Sequence, residues 1–139
     1  MVSDLALKNG PALAIGVLVV SGCTDVCENT EVKREMSGDG KHVAVMYQRD
    51  CGATTGFSTQ ISIIAKNEKL SGGGNTYVAD SDHGLAFPGE WGGPWADMQW
   101  LSPQHLQVRY ADRSRMFEQD DSVSGVRITY LPIEKAPSD

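Results

Sequence analysis

The run QHLQVRYAD, residues 104–112, does most to narrow what this chain can fold into. Leu106, Val108 and Tyr110 fall on one side of an extended backbone, and Gln107 and Arg109 on the other. Alternation of period two marks a half-buried strand, because successive strand side chains point to opposite faces. Similar signals recur in KHVAVMYQRD (41–50), STQISIIAK (58–66), TYVAD (76–80), ADMQWL (96–101) and GVRITYLP (125–132). Glycine-rich or polar turn segments separate them, and no amphipathic helical period competes, beyond a brief helical turn allowed somewhere in 24–40. The expectation is an all-β domain, a small twisted meander or sandwich of about six short antiparallel strands. STQISIIAK should pair with the preceding strand as a hairpin, with Cys51 in the connection.

At 139 residues there is room for one domain. A formal net charge of −6, with no basic run longer than Lys33–Arg34, argues against a nucleic-acid partner. It suits a protein partner of basic or neutral character.

The N-terminus carries a different signal. PALAIGVLVV, residues 11–20, is an uninterrupted apolar run after Lys8. Ten residues are too few to span a bilayer, which takes about 20, but suit a signal-peptide core. The segment that follows, VSGC at 20–23, resembles the lipobox of bacterial lipoproteins. The resemblance implies a cleaved signal peptide over 1–22 and diacylglyceryl transfer to the Cys23 thiol. Acylation of the new amino group would follow, as in palmitate-bearing envelope proteins. Thr24 after the cysteine is similar to the sorting signal for the outer membrane. The expected address is therefore the bacterial cell envelope, lipid-anchored in the outer membrane and facing the periplasm. Residues 23–36 would form a tether, 37–133 the β domain and 134–139 a disordered tail.

With Cys23 assigned to lipid, the odd cysteine count resolves into one pair, Cys27 and Cys51, in a compartment that permits disulfides. The competing role for Cys51 is that of a nucleophile with His42, His83 or His105 as base. Asp50 opposes Arg49 beside it, so little favours the low thiol pKa that such a role needs. The disulfide is the expectation.

SGDGKHVAVMY and SPQHLQVRY share a turn, a histidine, an apolar alternation and a tyrosine at a constant offset of 63 residues. These turn-strand units resemble those of Tol-type β-propellers, but two are too few to close one. A pair of related hairpins in one sheet system is expected instead. DCGATTGFSTQ, with parts of VADSDHG and GGPW, is also similar to a group of small proteobacterial proteins, a resemblance that implies no activity.

Two clusters compete as sites. Asp80, Asp82 and His83 offer carboxylate and imidazole, the ligands that suit zinc or manganese. Their spacing fits neither a closed zinc site nor an EF-hand, and side-chain bonds within a loop explain them as well. In FPGEWGGPW, Phe87, Glu90, Trp91 and Trp95 surround a rigid turn able to anchor a partner or to fold inward as the loop's own core. The reading is a membrane-anchored, non-catalytic binding module, such as an immunity, inhibitor or assembly accessory protein, without a cofactor. The alternative is an envelope hydrolase using Asp80, Asp82 and His83.

Overall fold

The computed structural model describes residue 16, residues 26–52 and residues 54–138. The expected lipid site at Cys23 lies outside them, as does all but one residue of the expected signal peptide. Among the described residues the chain is all-β: nine strands form two sheets. In chain order they are β1 (Glu28–Met36), β2 (His42–Asp50), β3 (Ser58–Ala65), β4 (Tyr77–Asp80), β5 (Ala96–Ser102), β6 (His105–Ala111), β7 (Arg115–Gln119), β8 (Ser122–Val123) and β9 (Val126–Ile133). One sheet runs β1-β2-β3-β4-β7 and the other β5-β6-β9-β8.

Inward residues of both sheets meet in one core. Ala44 and Met46, Ile61 and Ile63, and Tyr77 and Ala79 come from the five-stranded sheet. Ala96 and Met98, Leu106 and Val108, and Val126 and Ile128 come from the other. This is a two-layer sandwich, with the alternate positions of each strand buried between the layers. Tyr77 lies in the core with its ring centroid 6.2 Å from those of Tyr110 and Tyr130. Burial pushes the Tyr77 and Tyr130 hydroxyl pKa values far above the usual phenol range.

The six expected strands are all present, and three more join them. The segment expected as a tether is instead β1 from Glu28 onward, paired antiparallel with β2 along its length. Its sequence, ENTEVKREM, shows no alternation because only Val32 packs inward, as the extra residue of a bulge between Glu31 and Lys33. A charged, bulged strand suits a sheet edge, where both devices discourage pairing with other chains. The other two, β7 and β8, are short and lie within what reads as a polar connection. Residues 134–138 carry no strand or helix, and Pro137 lies near Trp91 and Trp95.

The internal echo takes a different form from the expected pair of hairpins. β2 and β3 are an antiparallel hairpin, but their counterparts β6 and β9 are parallel neighbours in the other sheet. The corresponding residues also face different ways. Leu106 and Val108 point into the main core, whereas Val43 and Val45 lie on the outer face of the first sheet. The shared pattern is a local likeness between strand sequences, not a repeated structural unit.

That outer face has a small core of its own. Val43, Val45, Tyr47 and Ile64 are buried there, with Leu70 packed on them from the β3–β4 connection. NEKLSGGGN reads as a flexible turn, yet it is bonded across the sheet as a flap. Asn29 Nδ2 and the Tyr47 hydroxyl both donate to the Gly72 carbonyl, at 2.9 and 3.2 Å. The Gly74 amide donates to Gln60 Oε1 at 2.7 Å, and Asn75 closes a two-way bond with the Ile63 backbone. A Cβ on Gly74 would stand 2.7 Å from the Tyr77 carbonyl oxygen, so the close approach of two backbones requires glycine there.

Candidate functional site

Two grooves flank the 87–95 loop. The first, about 490 Å³, opens beside the β2–β3 connection and is lined by Arg49, Cys51, Phe57, His83, Arg115 and Phe117 among others. Cys51 is bonded to Cys27, with Cα atoms 4.0 Å apart, as expected from the cysteine pairing. Cys51 therefore has no free thiol to serve as a nucleophile. The bridge lies where β1 begins and β2 ends, with Glu28 opposite Asp50 in the ladder.

On the groove wall, Asp80 ends β4 and meets Arg115 at the start of β7. The guanidinium grips both carboxylate oxygens, its Nε donating to Oδ1 at 3.0 Å, and the Asp82 amide donates to Oδ1 at 2.9 Å. Burial alone would raise the Asp80 pKa, but these hydrogen bonds outweigh it and hold the carboxyl below its ordinary range. Asp82 and His83 both adopt left-handed backbone, with φ of 48° and 58°, and the Gly84 amide donates to Ser81 Oγ at 3.0 Å. This is the geometry of a turn closed by side-chain-to-backbone bonds. Among the described residues no group of three His, Cys, Asp or Glu side chains is placed to hold a metal ion.

The histidines do not gather. His83 lines the groove. His105 Nε2 is 2.8 Å from Thr129 Oγ1, with Arg127 at its Nδ1. His42 sits at the start of β2, its Nδ1 buried and without a hydrogen-bond partner.

The second groove, about 370 Å³, includes Val32, Lys33, Trp91, Trp95, Asp97 and Arg109 in its lining. Its aromatic wall is the FPGEWGGPW loop, a narrow closed turn. The Trp95 amide donates to the Phe87 carbonyl at 2.9 Å and the Gly89 amide to the Gly93 carbonyl at 2.8 Å. The two tryptophans then part company. Trp91 packs against the main core, its indole N–H donating to Thr59 Oγ1 at 2.8 Å, while Thr59 donates onward to the Pro94 carbonyl at 2.6 Å. Gln48 Nε2 donates to the Trp91 carbonyl. Gly93 is required at this junction, since a Cβ there would lie 2.6 Å from Thr59 Oγ1.

Trp95, half-buried and lining the groove as Trp91 does, makes different contacts. Its ring lies 5.7 Å from Phe87, and the Arg109 guanidinium sits 5.6 Å from its centroid. Arg109 and Lys33 both bind Asp97, at 2.7 Å each, which ties β6 and β1 to β5. Burial raises the Asp97 pKa, and the hydrogen bonds from Lys33, Arg109 and the Met98 amide overcome it and leave the carboxyl below its ordinary value. Glu90 is exposed at the tip of the loop.

The structure thus separates residues that the sequence grouped. Phe87 and Trp95 share a surface, Trp91 is chiefly structural, and Asp80 and His83 face the other groove. The sequence reading missed Arg109 and Asp97 beside Trp95, and Phe57, Arg115 and Phe117 in the first groove. Arg109 and Asp97 stood as outward positions of β6 and β5, so their partnership was open to inspection only once those strands were paired. Compared with protein-family models, with curated proteins and with solved structures, the chain matches none.

Proposed function

We propose that this chain is a lipid-anchored, non-catalytic binding module of the bacterial envelope, held to the outer membrane through Cys23 and facing the periplasm. Its contact surface is the Phe87–Trp95–Arg109 stack with the adjoining groove. That stack is the observation on which the reading rests. Two aromatic rings are ordered by a closed loop and the guanidinium by Asp97, so little conformational entropy is lost when a partner covers them. Asp80, the acid of the hydrolase alternative, is engaged by Arg115 and the Asp82 amide, which favours a structural use. The Cys27–Cys51 bridge is compatible with an exported chain, and the net charge of −6 favours a basic or neutral protein partner.

Two experiments test the proposal. Mass spectrometry of membrane fractions should find a chain beginning at acylated Cys23; soluble protein retaining Met1 would overturn the anchor. Crosslinking in intact cells should yield a defined partner adduct that Trp95→Ala removes while the melting temperature holds. Activity against a hydrolase panel that disappears only in His83→Ala would transfer the assignment to the first groove.

A further inference from the structure

The connection between Cys23 and the body of the protein is short. Three residues separate Cys23 from Cys27, which is covalently bound to Cys51, and the next residue, Glu28, is already paired with Asp50. The four residue-to-residue steps from Cys23 to Cys27 reach at most ~14 Å when fully extended. Each headgroup layer of a bilayer is only about 5–8 Å deep. An acylated Cys23 therefore keeps the bridged end of the five-stranded sheet within ~10 Å of the lipid surface.

Exposed apolar side chains lie at that same end. Val26, beside the bridge, is 83% exposed. Phe57 and Phe117, 41% and 62% exposed, line the same groove as Cys51. On the strength of the Cys23 anchor proposed above, we infer that this end, with Val26, Phe57 and Phe117 foremost, is the face that docks on the lipid bilayer. The attraction is apolar, with side chains entering the interface between headgroups and acyl chains. Charge contributes little. Asp80 already neutralises Arg115 in this groove, and the net charge of −6 opposes an anionic surface. Docking therefore needs no acidic lipid and survives high salt.

Met36 supplies the comparison. It is 52% exposed and so is an apolar surface residue of the same kind as Phe117. It stands at the far end of β1 from Glu28, a distance of ~27 Å at the rise of a β-strand.

The test uses the acylated full chain in phosphatidylcholine vesicles, with Phe117→Cys, Val26→Cys or Met36→Cys carrying a polarity-sensitive fluorophore. The native Cys27 and Cys51 are consumed by their bridge. Emission should shift to the blue on reconstitution for Phe117→Cys and Val26→Cys, remain unshifted for Met36→Cys, and hold in high salt. Val26 precedes the first strand, so its variant reads the interface even where Phe117→Cys disturbs β7. Acylated Cys23 with no shift at 26 or 117, or with equal shifts at all three positions, overturns the docking face and leaves the anchor intact. Absence of acyl groups on Cys23 overturns the anchor, and the inference falls with it.

Discussion

The two sheets of this sandwich use their strands differently. The five-stranded sheet is covered on both faces at β2 and β3: its inner side meets the other sheet, and its outer side there holds Val43, Val45, Tyr47 and Ile64 beneath the Leu70 flap. The four-stranded sheet buries its inner side only, and on β6 Gln107 and Arg109 remain partly open to solvent beyond Leu106 and Val108. A strand covered on both sides reads as a nearly continuous apolar run, and a strand covered on one side alternates. VAVMY in β2 and HLQVRY in β6 are those two cases, and their resemblance in sequence conceals different surroundings.

The largest effect should come from the core that both sheets share. Leu106→Ala removes a fully buried side chain and should cost about 4 kcal/mol. Thermal or urea unfolding followed separately through the sheets should still show one transition; two would mean that the sheets are independent. The next largest concerns only the five-stranded sheet. Replacing both Cys27 and Cys51 by serine opens a bridge across a separation of 24 residues and should lower stability by about 3.5 kcal/mol. Denaturant unfolding measures that loss, and one below about 1 kcal/mol would show that the β1–β2 ladder pins the chain unaided.

The outer core should be the softer region. Tyr47→Phe deletes the hydroxyl that reaches Ser62 and the Gly72 carbonyl, for a cost of about 1 kcal/mol. Hydrogen exchange should then quicken at residues 72–76, with β6 and β9 unaffected. Uniform acceleration would show that flap and core open together.

The smallest effect concerns the tie between the layers at Asp97. Its folded pKa is depressed below the ordinary carboxylate value, so its contribution to stability is present above the unfolded pKa of about 3.9. It is lost as the pH falls through the lower, folded value. Melting temperatures of the wild type should therefore drop more steeply below pH 4 than those of Asp97→Asn. Parallel curves would remove Asp97 from any role in acid stability.

Some of this arrangement was legible in the residues. Every strand with two or more inward apolar side chains announced itself, as Ile61 and Ile63 did for β3 and Leu106 and Val108 for β6. The edge strands β1 and β8, and the short β7, did not; β7 closes the five-stranded sheet at its other edge. In β1 a single valine points inward, and the other positions are mostly polar residues that are either open to solvent or bonded at the sheet margin, so periodicity had nothing to register. The flap was hidden for another reason. Its three glycines look like slack, yet the Gly74 backbone lies against two neighbouring strands, a property of the partner and not of the glycine. Of the candidate surfaces, the tryptophan loop was visible, but the separate tasks of Trp91 and Trp95 were not. Both stand in the same kind of local sequence, and only Thr59 on β3 and Arg109 on β6 tell them apart.

Local chemistry by itself determined the all-β class and the six principal strands, because alternation acts within short stretches of chain. The pairing of Cys27 with Cys51 was reached instead through the lipobox resemblance, which set Cys23 aside. Tertiary structure decided which sheet each strand joined, that β6 and β9 run parallel, and that Asp80 belongs to Arg115. Those outcomes depend on groups 22 to 35 residues apart meeting in space, and neither periodicity nor spacing carries information over that range.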